Sequence, residues 1–206
     1  MKHLNGIRTF KATAWKKLAA LYAQLTNGQK PFAFVIACSD SRYYAELIMQ
    51  TEPGELFCLR NAGNMILPYN GDQHPSEGAG TLEYAIDVLK IEHVVVLGHY
   101  GCGLVEAALS RPQCVCDLKS LKLWVEQSQH VQVENWNDFD DDTKRQLHRA
   151  ACRQHVVHQL DNLSTHPCIQ NNPNVQKHGL IFDMSVGVVE EYDPESSAFV
   201  AIEPAP

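Results

Sequence analysis

Two apolar runs that end in polar residues constrain the fold of this chain more than any other feature. Residues 31–37 and 94–98 have the composition of fully buried strands, with β-branched and aromatic side chains in unbroken series. The first run is followed by residues 38–42 (CSDSR) and the second by residues 99–102 (HYGC). Because ligands of open α/β sheets bind at the carboxyl ends of the strands, we expect these polar side chains to lie together.

The segments around these runs alternate between helical and strand patterns. Helical spacing of apolar residues predicts helices at 9–25, 45–49, 81–90, 104–109, 117–129 and from about 143 onwards. Further strands are predicted at 56–60, 180–184, 186–190 and 198–202. The inner face of the last helix is assigned to Leu147, Ala150, Val157 and Leu160. This order predicts an α/β fold with a mostly parallel central β-sheet flanked by helices.

The composition predicts one domain over residues 1–206, in which residues 1–28 form an N-terminal helical arm. The formal charge of −7 leaves no basic stripe for nucleic acid, and no apolar stretch is long enough to span a bilayer. The start of the chain lacks the apolar core of a signal peptide. Seven cysteines, an odd number, are typical of reduced thiols, and we therefore expect a cytoplasmic protein that binds neither nucleic acid nor membranes.

Cys38, His99 and Cys102 together are typical of a zinc site. Zinc prefers thiolate and imidazole ligands in tetrahedral geometry, and a catalytic site uses three of them and leaves one position for water. A single buried Cys is more often core, and an isolated Asp-x-Arg is more often a salt bridge, so the combination carries the prediction. We predict one catalytic zinc ion, with water or Asp40 as its fourth ligand.

Asp40 and Arg42 are the candidate catalytic residues beside that ion. If the pleat of the strand persists, Cys38 and Asp40 point to the same side, and Arg42 can hold the carboxylate bidentately. Zinc-bound water titrates near pH 7, whereas bulk water has a pKa of about 15.7. We expect Asp40 to accept a hydrogen bond from that water and so to orient it.

The other cysteines carry weaker predictions. Cys58 is interpreted as strand core and Cys152 as helix packing. A second metal site at Cys114 and Cys116 is not expected, because no further Cys or His is close to them in the sequence.

Of the ten histidines, His155 and His158 are predicted to lie on the surface of a helix. His3, His74 and His93 are candidates for proton relay, but no feature of the sequence distinguishes one of them.

Five motifs of the chain resemble those of the β-class carbonic anhydrases, in the same order and with the same spacing. They are residues 38–42 (CSDSR), 52–57 (EPGELF), 60–64 (RNAGN), 82–85 (LEYA) and 98–103 (GHYGCG). The resemblance covers about residues 29 to 109 closely and the rest of the chain loosely. It implies reversible hydration of CO2 to bicarbonate and a proton by a zinc-bound hydroxide, with one Zn²⁺ per subunit. The implied zinc ligands are Cys38, His99 and Cys102, and Asp40 and Arg42 are the implied dyad.

The resemblance also implies a substrate pocket of the plant-like subgroup. Its implied members are Gln29, Phe57, Ala62, Tyr84 and Gly103. Gln29 is expected to hydrogen-bond a substrate oxygen, and the two aromatic side chains are expected to wall an apolar CO2 pocket. Because members of the family build this pocket across a tight dimer, with the N-terminal helix on the neighbour, the chain is expected to form a homodimer or a tetramer.

Two departures from the family pattern carry their own expectations. Val35 stands where the bicarbonate-inhibited subgroup has Trp, so no inhibitory bicarbonate site of that kind is expected. Tyr43 and Tyr44 replace smaller or apolar residues and are expected to narrow the mouth of the pocket.

Two other functions remain open at this point. An enzyme with the same ligands could hydrolyse carbonyl sulfide or carbon disulfide instead of hydrating CO2. A zinc-storing or regulatory protein would need the three metal ligands but not Asp40, Arg42 or Gln29, so the presence of these residues argues against it.

Overall fold

The computed structural model describes residues 1–71, 76–111, 115 and 117–205, and a six-stranded sheet lies at its centre. The strands are β1 (Ala33–Cys38), β2 (Leu56–Asn61), β3 (His93–His99), β4 (Gln176–Asp183), β5 (Val188–Asp193) and β6 (Ala198–Ala201). Their spatial order is β2-β1-β3-β4-β5-β6. The first four in this order pair in parallel, and β5 and β6 add antiparallel pairs at one edge. The predicted mostly parallel α/β fold is confirmed.

Helices precede, connect and flank these strands. They are α1 (Lys2–Ala12), α2 (Ala14–Leu25), α3 (Ala45–Ile48), α4 (Glu77–Glu83), α5 (Gly103–Ser110), α6 (Lys119–Glu126), α7 (Asp141–Ser164) and α8 (Pro167–Gln170). A π-helical turn at Tyr84–Val88 extends α4, and 3-10 turns lie at Gln129–Val131 and Trp136–Asp138. Asp140 caps α7 by accepting a 2.8 Å hydrogen bond from the Thr143 backbone N–H.

The register of β1 and β3 brings the two predicted polar loops together. All six residues of β1 are buried, as expected for an interior parallel strand. Phe34 and Ile36 face one apolar core, whereas Val35, Ala37 and Cys38 face the other. Ala37 is paired with Leu97 of β3, so the chain leaves both strands at the same edge of the sheet.

Several predicted boundaries were wrong. The helix predicted over 9–25 begins at Lys2 and is interrupted at Thr13, where φ is −125° and ψ is −79°. The strand predicted from Val186 begins at Val188, because residues 184–187 form a turn in which Gly187 has a φ of +72°. The predictions at His74, Cys114 and Cys116 concern residues outside the described part of the chain.

The inner face of α7 also differs from the prediction, since Ala150 is exposed and His155 is only 1% exposed. The buried residues of this helix are Ala151, Cys152, His155, Val156, Gln159, Asn162 and Leu163. Apolar spacing missed this face because several of its side chains are polar and hydrogen-bond to loop backbone. The surface assignment of His155 is therefore corrected, and His158 is half-buried.

Helices α1 and α2 form the predicted N-terminal arm, and neither has a buried residue. Trp15 and Tyr22 stack on each other with ring centroids 5.4 Å apart, while Ile7, Phe10 and Trp15 remain exposed. No helix in the described ranges combines the length and the apolar character that crossing a membrane requires.

Candidate metal centre

Cys38, His99 and Cys102 come together at the edge where β1 and β3 end. One ligand atom from each residue lies within 4.8 Å of the other two, and all three side chains are buried. Cys38 closes β1, His99 closes β3, and Cys102 immediately precedes α5. Parallel strands with a common carboxyl edge thus bring ligands that are 61 residues apart in the sequence into one cluster.

His99 presents a nitrogen that protein atoms leave unsatisfied. Its Nδ1 is 3.0 Å from the Tyr100 carbonyl oxygen, to which it donates, so Nε2 carries the lone pair. Nε2 is buried and has no hydrogen-bond partner among the described residues. An unpaired buried nitrogen beside two thiols is costly unless a ligand occupies the space between them. The three donors therefore fit a zinc ion, whose preferred ligands are thiolate sulfur and imidazole nitrogen.

The two thiols are coupled to each other. A hydrogen bond from Cys102 lowers the pKa of Cys38, and the same interaction raises the pKa of Cys102. These opposite directions arise because the two sulfur atoms lie close together. A divalent cation bound between them would favour the thiolate form of both groups.

Asp40 is held by Arg42 at the border of this cluster. The guanidinium Nε and Nη2 are 2.9 Å from Oδ1 and 2.6 Å from Oδ2, and the Arg42 backbone N–H also donates to Oδ1. These contacts keep the pKa of Asp40 well below its usual range. Oδ2 is 3.8 Å from His99 Nε2, so the carboxylate lies beside the ligands while its oxygens are bound by Arg42. Arg42 Nη2 also donates to the Gly101 carbonyl and thereby joins the two strand ends.

Hydrogen bonds with Tyr43 and Arg60 fix the backbone at the end of β1. The buried Tyr43 hydroxyl accepts from the Cys38 N–H and donates to the Leu97 carbonyl, with both distances at 2.9 Å. The Arg60 guanidinium donates to the carbonyls of Cys38, Asp40 and Tyr43. The expectation that Tyr43 narrows a pocket mouth is therefore wrong, because its ring packs under the strands and 4.7 Å from the His99 ring. Exposed Tyr44 lies outside this packing.

Ala62 and Gly103, two predicted pocket residues, are adjacent to the metal ligands. The N–H of Gly63, which follows Ala62, donates to Cys38 Sγ over 3.3 Å. Trp124 Nε1 donates to the Ala62 carbonyl over 2.8 Å and anchors this loop on α6. Gly103 follows Cys102 directly and has open space where a Cβ would lie.

Phe57, Tyr84 and Gln29 are not brought to the metal ligands of their own chain. The rings of Phe57 and Tyr84 are 5.8 Å apart, and Phe57 packs on the core cluster that contains Phe34 and Ile36, whereas Cys38 belongs to the other core cluster. Gln29 is exposed in a shallow groove beside Gly54. One chain thus contains the metal ligands and the dyad, with these three residues placed apart.

Sequence reasoning missed several residues that hold the site. Arg60 and Gly63 were recognised only as members of a motif, and Trp124, His148 and His155 were not assigned to the site. Their roles depend on contacts with backbone atoms, which residue type alone does not predict. The signal present in the sequence was the spacing of His148, Cys152 and His155, since residues four and seven apart lie on one helix face.

A mostly parallel sheet with a buried Cys-His-Cys set and an Asp-Arg pair at its carboxyl edge defines an α/β protein whose three ligands could hold a metal ion. A model of the carbonic anhydrase family matches residues 33–189. The carbonic anhydrase of Pseudomonas aeruginosa is 34% identical over 202 residues, which cover 97% of this chain and 90% of that protein. The carbonic anhydrase of Synechococcus elongatus is 34% identical over 211 residues, covering 100% of this chain and 76% of that protein.

A solved structure, that of the β-carbonic anhydrase CcaA, agrees with this relationship. It matches with a TM-score of 0.87 at 31% identity, covering 98% of this chain and 92% of that chain. The chain therefore belongs to the carbonic anhydrase family, and specifically to its β class.

Proposed function

We propose that this protein catalyses the reversible hydration of CO2 to bicarbonate and a proton, with one Zn²⁺ per subunit bound by Cys38, His99 and Cys102. The observation that carries the proposal is the buried, unpaired Nε2 of His99 facing two thiols. Zinc in such a site lowers the pKa of a water ligand from 15.7 to about 7 and so supplies a nucleophile near neutral pH.

In this proposal Asp40, held by Arg42, orients the water molecule at the metal. Because Arg42 binds both carboxylate oxygens, Asp40 is kept ionised and directed away from the three ligands. An ionised carboxylate can only accept hydrogen bonds, so it selects one orientation of a water molecule beside His99. If Arg42 released it, the carboxylate could itself reach the metal position, because Oδ2 is already 3.8 Å from His99 Nε2.

CO2 is apolar and small, and the residues next to the ligands suit it. Ala62 and Gly103 present little side-chain volume beside Cys38 and Cys102. We assign the remaining pocket residues, Gln29, Phe57 and Tyr84, to a neighbouring subunit, as in the plant-like subgroup. Support for this comes from the packing of Phe57 on a core cluster that does not contain Cys38 and from the 45% exposure of Tyr84.

Self-association as a homodimer or tetramer follows from the same reasoning. The exposed apolar side chains of α1 and α2, among them Ile7, Phe10 and Trp15, form a surface that a second copy would cover.

Val35 is fully buried in β1, and we therefore expect no inhibitory bicarbonate site at that position.

Metal analysis combined with stopped-flow CO2 hydration tests the proposal. We expect about one zinc per chain and rapid hydration, and we expect Asp40→Ala to keep its zinc but to lose about 100-fold in kcat, because an orienting hydrogen-bond acceptor is removed. Wild-type protein that holds one zinc and does not hydrate CO2 would contradict the enzyme assignment. A parallel measurement of sulfide release from carbonyl sulfide distinguishes the alternative substrate.

A further inference from the structure

The inner face of α7 bears polar side chains that hydrogen-bond to the loops following β2 and β3, which contain or contact the metal ligands. His148 Nε2 is 3.1 Å from the Cys102 carbonyl, and His155 Nε2 is 2.7 Å from the Gly63 carbonyl. Further along the helix, Gln159 accepts from the Ile66 backbone N–H. These contacts use spacings of seven and four residues, which keep the side chains on one face of the helix. Helix α7 thus hydrogen-bonds to the loops that follow β2 and β3.

His155 makes one of the fully buried contacts of this face. Its side chain lies in the interior, at 1% exposure, and its Nε2 must donate, because the Gly63 carbonyl oxygen can only accept. The N–H of Gly63 in turn donates to Cys38 Sγ over 3.3 Å. The Gly63 carbonyl therefore accepts a hydrogen bond from an imidazole, and the Gly63 N–H donates one to the sulfur of a metal ligand.

The backbone at Gly63 has a conformation that other residues rarely adopt. Its φ is +83°, and a Cβ at this position would lie 2.1 Å from the Leu104 side chain. With no side chain of its own, Gly63 depends on external contacts to keep its N–H directed at Cys38. The Trp124 hydrogen bond to the Ala62 carbonyl holds the peptide that contains this N–H, and the His155 hydrogen bond to the Gly63 carbonyl holds the peptide that follows it.

His130 fixes the tautomer of His155. Its Nε2 is 3.0 Å from His155 Nδ1, which must accept because Nε2 of the same ring carries the proton. The two rings are stacked at 15° with centroids 5.1 Å apart, and His158 stacks on the other side of His130 at 3.7 Å. Two successive hydrogen bonds therefore orient the imidazole that holds Gly63.

We propose that His155 is a positioning residue for the Cys38 thiolate, acting through the Gly63 backbone. This inference rests on the proposed zinc site. An N–H···S hydrogen bond withdraws charge from a thiolate and fixes its direction, and outer contacts of this kind are worth about 10- to 100-fold in metal affinity. His155 is not a ligand, and it touches neither substrate nor metal; it keeps the Gly63 amide directed at the sulfur.

Two variants of nearly equal length separate the hydrogen bond from the packing. His155→Gln keeps an N–H donor near the position of Nε2, whereas His155→Met has similar length and no donor. Zinc affinity is measured by competition with a chromophoric chelator, and the thiolate-to-metal charge-transfer band is measured in Co²⁺-loaded protein. We expect His155→Met to bind zinc 10- to 100-fold more weakly with a shifted band, and His155→Gln to recover affinity to within about threefold of wild type.

Leu163→Ala is the matched structural control, because Leu163 is fully buried on the same helix in the other core cluster. It should lower the Tm at least as much as His155→Met and leave zinc affinity and the Co²⁺ band unchanged. Zinc affinity of His155→Met equal to that of wild type would overturn the proposal, as would equal weakening in Leu163→Ala. If wild type itself bound no zinc, the proposed function would fail first, and this outcome is visible before any variant is compared.

Should His155→Met not fold, His130→Phe provides the second measurement. It removes the partner that fixes the His155 tautomer and leaves both His155 and the Gly63 contact in place. We expect zinc binding about threefold weaker than in wild type, since the imidazole is then less constrained. Unchanged affinity in a folded His130→Phe protein would overturn the proposal.

Discussion

The metal end of the sheet and the N-terminal arm differ in how completely one chain encloses them. At the metal end, Cys38, His99 and Cys102 are buried, and their loops are tied by hydrogen bonds from Arg60, Tyr43 and α7. In the arm, residues 2–25 contain no buried side chain. The difference fits the proposal that a single chain assembles the metal ligands, whereas the arm packs on another copy.

Phe57 and Tyr84 resemble the arm, because we propose that a second copy of the chain completes their surroundings. Their rings contact each other, and Phe57 packs on a core cluster that does not contain Cys38. The proposed enzyme thus divides into a metal centre that is complete within one chain and a substrate wall that is completed by assembly. Predictions on each part test this division.

The largest effect is expected from loss of a metal ligand. Cys38→Ser should remove most of the bound zinc and lower CO2 hydration at least about 1000-fold, because water without the metal titrates near 15.7 instead of near 7. Metal analysis and stopped-flow assays measure both quantities. Cys168→Ser is the control, since Cys168 is an equally buried thiol in the other core cluster. Equal losses in the two variants would show that cysteine removal acts through folding.

A smaller loss of activity is expected when the Asp40–Arg42 pair is disrupted. Arg42→Leu should keep its zinc and lose about 100-fold in kcat, because the carboxylate of Asp40 is no longer held away from the ligands. Adding Asp40→Asn to this variant should not lower activity further. Arg145→Leu removes an exposed guanidinium from the pair with Asp142 on α7 and should retain full activity. Undiminished activity in Arg42→Leu would remove the dyad from the mechanism.

Disruption of the arm should act on assembly and leave metal binding intact. Phe10→Glu with Trp15→Glu places charges on the exposed apolar side of α1 and α2, and each aromatic anchor is worth about 2 kcal/mol, or about 30-fold in the dissociation constant. Sedimentation velocity should show smaller species with a normal zinc content, and activity should fall on dilution. Lys16→Glu is the control for added charge in an exposed part of the arm. A fully active monomer would refute the assignment of Phe57 and Tyr84 to the neighbouring subunit.

The smallest effect is expected on the free energy of unfolding at low pH, and it tests whether buried His155 of α7 is neutral in the folded protein. Burial lowers the pKa of His155 from 6.5 to about 4, so the folded protein leaves this ring neutral while the unfolded chain protonates it. Its contribution to stability is fully present above pH 6.5 and is lost as the pH falls toward 4, with about 1 kcal/mol lost by pH 6. Urea unfolding with saturating zinc measures this loss.

The comparison for the acid effect is His155→Gln, which has no titratable ring. Its stability should decrease less than that of wild type between pH 7 and pH 5, although contributions from the metal ligands are common to both proteins. Parallel pH profiles for the two proteins would show that His155 is not held neutral in the folded state.

Much of the fold and of the candidate site could be predicted from the sequence because strong local patterns carry them. The apolar run at residues 31–37 is typical of a fully buried strand, and the polar residues after it were therefore predicted to lie at a strand end. The Cys-His-Cys set followed from the chemistry of zinc and the common edge of β1 and β3. Boundaries such as Thr13 and Val186 were wrong because apolar spacing does not report where the backbone turns.

Residue types and spacing thus predicted the ligands, the dyad and the parallel sheet, since each depends on a local pattern or on the chemistry of a side chain. The tertiary structure alone placed Phe57 against a core cluster other than that of Cys38, because such packing depends on segments that are distant in the sequence. It alone showed that His155 is buried and that Tyr43 lies beneath the strands. Both side chains bind backbone atoms that are distant in the sequence, Leu97 in β3 and Gly63 in a loop, and such partners are brought near only when the chain packs.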